Sequence, residues 1–342
     1  MQILEKLQEK LGNSVQEKVA LAQYSTFKLG GPGRYFFIAK TSDDIVRAVT
    51  AAKELNLEIF LLAGGSNLLI ADDGFDGLVI KAENKNISVE TQYVEAHCNA
   101  SLQRRGGIFI KAEGGASWMD FVNFTKENSL TGAEWGAGIP GTVGGAARGN
   151  AGAFGRSVHE IIKSVEVLDS ETTAVKTLIN AECSFDYRES IFKKNKNLII
   201  LNATFQLQRG NRASIEKEMN ERIAYRKNSQ PCLPSAGCTF KNIIITDEIK
   251  KKLIETIETK ELEAKIKGGK LGSAFLIDKA GLKGYQIGGV KVSDEHANFI
   301  VKVDDTAKAD HVIQLISYIK QQVRDKFGIQ LQEEVQYVRY GH

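Results

Sequence analysis

Gly136-Ala-Gly-Ile-Pro-Gly-Thr-Val-Gly-Gly-Ala-Ala-Arg-Gly-Asn-Ala-Gly-Ala-Phe-Gly155 is the stretch on which the reading of this chain turns. Eight of its twenty residues are glycine and none is acidic. Backbone without Cβ atoms, free to take positive φ, can bring its N–H groups close to a bulky anionic ligand. Glycine-rich composition also suits a flexible linker, but linkers are diluted with serine and charge. Here Ile139, Pro140, Val143, Asn150 and Phe154 stand among the glycines. The segment therefore reads as a ligand-cradling loop, by analogy with phosphate-binding glycine loops. Gly136-Ala-Gly138-Ile-Pro-Gly141 also matches G-x-G-x-x-G, a fingerprint that needs a strand before it and a helix after it. Residues 130–135 form no apolar strand, Gly144-Gly145 is a poor helix start, and Pro140 suits a rigid turn. The dinucleotide match is formal.

Upstream, Ser42 is expected to cap a helix with Ile45, Val46, Val49, Ala52 and Leu55 at helical spacing. The apolar strand 59–62 then ends in Ala63-Gly-Gly-Ser-Asn-Leu-Leu69, a second glycine turn. Two such loops could hold the two phosphates of one dinucleotide. Further strands are expected at 35–38, 78–81, 87–90, 93–97, 108–111, 165–168 and 198–207, with Ser117 capping a helix that carries Trp118, Phe121, Val122 and Phe124. Downstream, helices are expected at 214–227 and 307–327, an apolar segment at 273–280, and strands at 299–303 and 329–338. The pattern is α+β, without tandem repeats.

The 342 residues are enough for two or three domains. A net charge of +3 is too small to indicate nucleic-acid binding and tolerates an anionic substrate. The lysines of 250–270 interleave with acidic residues, as on a solvated helical face. Cys98, Cys183, Cys232 and Cys238 form no C-x-x-C pair and no cluster with histidine, so neither a metal site nor a disulfide framework is expected. No run of about 20 apolar residues could span a bilayer. The N-terminal segment, with Glu5, Lys6, Glu9 and Lys10 on a helical pattern, does not read as a signal peptide, and a cytoplasmic protein is expected.

Taken in order, several motifs resemble the UDP-N-acetylenolpyruvoylglucosamine reductase family. They begin with Ser25-Thr-Phe-Lys-Leu-Gly-Gly31, Leu62-Ala-Gly-Gly-Ser-Asn-Leu-Leu69 and Gly138-Ile-Pro-Gly-Thr-Val-Gly-Gly145. Asn150-Ala-Gly-Ala-Phe-Gly155, Tyr187-Arg-Glu-Ser-Ile-Phe-Lys193 and Ala236-Gly-Cys-Thr-Phe-Lys-Asn242 follow. Ala280-Gly-Leu-Lys-Gly284, Lys291-Val-Ser-Asp-Glu-His-Ala-Asn-Phe-Ile300 and Gly328-Ile-Gln-Leu-Gln-Glu-Glu-Val335 complete the series, which covers almost the whole chain.

The resemblance implies a two-part FAD-binding domain of the vanillyl-alcohol-oxidase type at 1–81 and 82–212. It further implies a UDP-sugar domain of α+β type at 213–328 and a C-terminal strand, 329–342, returning to the active site. Gly64, Gly65, Ser66, Asn67 and Leu68 would hold the FAD diphosphate. Gly138, Ile139, Pro140, Gly141, Gly144, Gly145, Asn150, Ala151 and Gly152 would line the flavin site. Neither loop contains a histidine, so FAD is expected to be non-covalent. In the family, NADPH reduces the flavin, which then gives hydride to C3 of UDP-N-acetylglucosamine enolpyruvate. Carbanion character at C2 calls for a cation at the adjacent carboxylate and an acid to protonate C2.

The matching catalytic positions are Arg188, Cys238 and Glu334. A guanidinium is permanently charged and can bind a carboxylate in bidentate fashion. A thiol, with a reference pKa of about 8.5, is a far stronger acid than the serine hydroxyl common at position 238 in the family. Glu333 and Glu334 would lie on opposite faces of a strand, and the family pattern selects Glu334. Tyr187, Arg226, Lys241, Asn242 and Lys283 are the candidates for the sugar nucleotide. Ile243 stands where proline is usual, Lys302 where asparagine is common, and residues 243–269 resemble an insertion. The short path from Arg188 to Cys238 resembles the smaller structural type of the family. No obligate protein partner is evident. Two rival readings are a flavin oxidase acting on an alcohol and a non-catalytic nucleotide binder of the same fold. Retention of Arg188 and Glu334 disfavours the second.

Overall fold

The computed structural model of the protein describes residues 2–90 and 107–338, so the strand expected at 93–97 lies outside the described residues. The chain divides into two compact units. One comprises Met1–Val19, Gly33–Gly64 and Asp76–Arg226; the other comprises Ala20–Pro32, Gly65–Phe75 and Lys227–His342.

The first unit is built on two sheets. One has the order Gln16–Ala20, Pro32–Ala39, Phe75–Ala82, Ile59–Leu62, the last two running parallel. Helices Ile3–Leu11 and Ser42–Glu54 contribute Leu7, Leu11, Ile45, Ala48 and Val49 to its core. The cap of the second helix is Thr41 rather than Ser42. Thr41 Oγ1 accepts the Asp44 N–H (3.1 Å), and the Asp44 carboxylate accepts the Thr41 N–H (3.0 Å). Ser42 donates instead to Glu113 (3.1 Å).

The second sheet runs Val175–Ile179, Ile162–Asp169, Leu198–Arg209, Ile108–Glu113, Ile87–Val89, with Leu130–Thr131 also on Leu198–Arg209. Leu198–Arg209 opens with eight buried residues in a row. Its side chains alternate between two cores: Ile200, Ala203, Phe205 and Leu207 in one, Ile199 and Leu201 in the other. Helix Trp118–Glu127, capped by Ser117, puts Trp118 and Phe121 against Phe205, the Phe121 and Phe205 rings 4.3 Å apart.

A helix does start at Gly144-Gly145, contrary to the low propensity of glycine. It spans Val143–Gly149, and Thr142 Oγ1 caps it by accepting the Gly145 N–H (3.2 Å). A Cβ on Gly144 would lie 2.9 Å from the Gly114 carbonyl oxygen, so close packing takes precedence over propensity there. The fingerprint still lacks its strand, because Glu134–Gly136 is a 3-10 turn.

The second unit has the sheet order Ser235–Cys238, Phe299–Lys302, Val290–Val292, Gln286–Ile287. Helices Ser273–Lys279 and Ala309–Phe327 share its core through Leu276, Ile277, Val312, Ile316, Ile319 and Val323. The lysine-rich segment forms two short helices, Asp247–Ile254 and Thr259–Lys265, beside a three-stranded sheet. Leu253, Ile257, Leu262 and Leu271 bury its inner face in the same core. The strand expected at 329–338 forms at Gln336–Val338, parallel to Leu68–Ile70. Before it, the chain contributes an isolated bridge between Phe240 and Glu333.

Candidate active site

In the first unit Gly64 meets the central glycine loop. A Cβ on Gly64 would stand 2.8 Å from Gly141 Cα, so the backbones touch where neither residue carries a side chain. Gly138 and Gly141 have φ of +78° and +120°, a region that favours glycine. Lys81, half-buried, donates to the carbonyl of Ala63 (2.8 Å), immediately before Gly64. Burial lowers its pKa from the ordinary lysine value. This paired cradle of bare backbone without an acidic side chain fits an anionic, extended cofactor.

Helix Val143–Gly149 ends at Asn150, whose left-handed φ of 41° turns the chain into Ala151-Gly152. The buried Asn150 side chain donates to the Asp186 carbonyl (2.8 Å) and accepts the His159 N–H (3.1 Å). It thereby holds the turn that presents Tyr187 and Arg188. Arg188 itself has φ +56° and is half-buried. Its guanidinium donates to the carbonyls of Gly152 (2.7 Å) and Asn150 (3.4 Å), and lies 5.5 Å from the centre of the Tyr187 ring. A Cβ on Gly152 would stand 2.5 Å from the Arg156 carbonyl oxygen and 3.2 Å from Arg188 Nη1, so the strand Arg156–Ser157 and the arginine both crowd this position. Lys193 Nζ donates to the Arg188 carbonyl (2.7 Å). Arg226 Nε donates to the Ala137 carbonyl (3.0 Å), beside Gly138.

The second unit brings the segment after the strand Ser235–Cys238 beside the irregular segment that carries Glu334. Thr239 follows Cys238, and its carbonyl accepts the N–H of Glu334 (2.8 Å). The carbonyl of Gln332 accepts the N–H of Lys241 (2.8 Å), and the Lys241 carbonyl accepts a hydrogen bond from the buried Ser273 hydroxyl. Asn67, read from sequence as a cofactor residue, donates from Nδ2 to the Glu334 carbonyl (3.0 Å). Its own carbonyl accepts the Gln336 N–H (2.9 Å). Gly65, with φ +63°, packs so closely that a Cβ would lie 2.2 Å from the Tyr24 carbonyl oxygen. Ser66 and Leu68 continue that turn into the strand Leu68–Ile70.

Glu333 is occupied elsewhere: its carboxylate accepts from Lys320 Nζ (2.6 Å) and the Tyr337 hydroxyl (2.5 Å). Asn242 is exposed, and Lys283 pairs with Asp278 (3.3 Å) on the surface. Asn298 carried no assigned role from sequence. It is buried and binds Thr239 and Phe240 through three hydrogen bonds. The signal for it was a carboxamide between Ala297 and the apolar start of the strand Phe299–Lys302, a polar group among apolar neighbours. Among the described residues, no group of histidine, cysteine and carboxylate side chains could hold a metal ion. No helix there is long and apolar enough to cross a membrane.

Residues 33–178 match the family model described as an FAD binding domain, and residues 228–338 that of the UDP-N-acetylenolpyruvoylglucosamine reductase C-terminal domain. The UDP-N-acetylenolpyruvoylglucosamine reductase of Solibacter usitatus (strain Ellin6076) is 33% identical over 326 residues, covering 95% of this chain and 97% of the relative. The crystal structure of the reductase from Thermus caldophilus is similar with a TM-score of 0.68 at 26% identity, over 94% of this chain and 98% of that one. A VAO-type flavoprotein from Myceliophthora thermophila C1 shares the fold at a TM-score of 0.55 and 10% identity, over 95% and 85% of the two chains. Matched along nearly its whole length, the chain belongs to the UDP-N-acetylenolpyruvoylglucosamine reductase family, flavin-dependent oxidoreductases of α+β fold.

Proposed function

We propose that the chain reduces UDP-N-acetylglucosamine enolpyruvate to UDP-N-acetylmuramate, a step of peptidoglycan precursor synthesis, with NADPH as the source of electrons. Gly64 to Leu68 would hold the diphosphate of FAD, and Gly138 to Gly145 with Asn150 to Gly152 its flavin. Residues 1–81 and 82–212 are assigned to the cofactor, 213–328 to the sugar nucleotide and 329–342 to the return of the chain to the reaction centre. Held by these residues, FAD would supply the hydride for C3 of the enolpyruvyl group, with NADPH as the electron source.

The protein's own side chains manage the charge that results. Carbanion character at C2 spreads onto the neighbouring carboxylate, and Arg188 is assigned to that carboxylate as a fixed cation. The Cys238 thiol gives its proton to C2, which completes the saturated product, and the thiolate recovers a proton from solvent. Glu334 is assigned to orienting the reacting group beside that acid. Tyr187, Arg226, Lys241, Asn242 and Lys283 are assigned to the sugar nucleotide. One observation carries this reading: the Thr239 carbonyl ties the backbone of Glu334 (2.8 Å) to the residue next to Cys238. That backbone bond supports assigning two residues far apart in sequence to one site.

The test separates the two half-reactions. Under anaerobic conditions NADPH should bleach the bound flavin, and UDP-N-acetylglucosamine enolpyruvate should then restore its colour with formation of one product equivalent. Reoxidation by oxygen alone, or a colourless protein that FAD cannot reconstitute, would refute the assignment.

A further inference from the structure

Cys238 ends a strand whose pairing is irregular. Ser235 pairs with Val301 and Cys238 with Phe299, and the register shifts between them, where Gly237 has φ +77°. A bulge interrupts the ladder and re-aims the side chains beside it, so what holds the backbone beyond it decides where they are placed. That something is Asn298. Its Oδ1 accepts the N–H of Phe240 (2.9 Å) while its Nδ2 donates to the carbonyl of the same residue (2.8 Å). Its own carbonyl accepts the N–H of Thr239 (2.7 Å). A carboxamide that exchanges both bonds with one residue stands in for a peptide group of a neighbouring strand. Asn298 is 2% exposed, so each of these bonds is costly to lose.

The clamp is itself held. The Ser293 hydroxyl accepts the N–H groups of Glu295 (3.2 Å) and His296 (3.3 Å), and His296 Nδ1 accepts the N–H of Asn298 (3.3 Å). Phe240 is buried, and Thr239 carries Glu334 on its carbonyl. Asn298 thus grips one side of the segment that places the acid, while the backbone N–H of Glu334 holds the other. We infer that Asn298 is a positioning residue for the proton donor, setting the place of the Cys238 thiol through the backbone of Thr239 and Phe240. Both polar atoms of its side chain are engaged with the Phe240 backbone, so its action on the acid is indirect. The inference rests on the reading of Cys238 as the acid.

The holoenzymes Asn298→Ala, Asn298→Asp and Cys238→Ala test it. Asn298→Ala should bind FAD with an unchanged spectrum and be reduced by NADPH within about twofold of the parent rate. Its reoxidation by UDP-N-acetylglucosamine enolpyruvate should slow about 100-fold, the scale of a 1 Å misplacement, with a larger solvent deuterium effect as proton transfer becomes limiting. Asn298→Asp keeps the shape and one bond but, ionised, cannot donate to Phe240, so it should fall between the two; it serves as the test if the alanine variant does not fold. Added to Cys238→Ala, Asn298→Ala should cause no further slowing. Parent-speed reoxidation in both Asn298 variants, with Cys238→Ala stalled, overturns the role of Asn298 and leaves that of Cys238 intact. Equal slowing of both half-reactions overturns it too, because general loosening would not single out one step. Normal reoxidation in Cys238→Ala removes the acid and this inference with it.

Discussion

Glu333 and Glu334 are consecutive carboxylates with different surroundings. Burial works against the Glu333 carboxylate, but the hydrogen bonds from Lys320 and Tyr337 outweigh it and hold its pKa below the ordinary value. A depressed pKa means that this stabilisation is complete at neutral pH and is lost as pH falls through the depressed value. Glu333→Gln should therefore cost about 1 kcal/mol at pH 7, with the difference from the parent shrinking below about pH 4. Urea midpoints at both pH values measure this; an equal cost at both would mean that charge is not the cause. Glu334→Gln should instead slow reoxidation by substrate more than reduction by NADPH, and a larger kinetic effect from Glu333→Gln would reverse the assignment. Arg188→Ala should slow reoxidation about 100- to 1000-fold with FAD still bound. Stopped-flow reoxidation near the parent rate would remove Arg188 from the chemistry. Composition could not have singled out this arginine, because its left-handed backbone and its seat on two carbonyls are set by Asn150, 38 residues earlier.

Among the elements, those with one buried face were legible from spacing alone. Helices Ser42–Glu54 and Ala309–Phe327 follow the 3.6-residue period because their inner faces are core. Leu198–Arg209 was legible from its apolar opening, Leu198-Ile-Ile-Leu201, whose side chains enter cores on both sides. The final segment was not, because alternation states which face is buried but not whether a partner strand runs alongside. Residues before Gln336 spend backbone groups on Thr239 and Lys241, and ladder pairing starts beside Leu68–Ile70. A local cap was legible to within one residue, Thr41 in place of Ser42, whereas a distant one was hidden. Asp72 caps Ala309–Phe327 from far away in the chain, its two carboxylate oxygens accepting the N–H groups of Ala309 (2.9 Å) and Asp310 (3.2 Å). Asp72→Ala should cost about 1 kcal/mol, while Asp72→Asn should retain most of that stability. Equal denaturant midpoints for parent and alanine variant would show that solvent replaces the cap.

At the scale of the molecule, the two units have separate apolar cores. Ile110, Trp118, Trp135 and Phe205 belong to the first, and Phe240, Leu276, Val312 and Val335 to the second. The only two tryptophans of the chain, Trp118 and Trp135, both lie in the first, with ring centres 5.8 Å apart. Indole emission therefore reports unfolding of the first unit, whereas far-ultraviolet circular dichroism reports both. The FAD-binding match, residues 33–178, falls mostly in the first unit. A ligand that binds only the folded state stabilises it by about 2.7 kcal/mol at 100 times its dissociation constant. For a unit of roughly 200 residues, that corresponds to a rise of roughly 5–10 °C in the midpoint. Titrating FAD into apoprotein should raise the emission-detected midpoint by this amount and should quench the indoles without broadening the transition. If FAD raises the dichroism midpoint but leaves the emission midpoint unmoved, the cofactor stabilises the other unit, and the division of labour between the units is reversed.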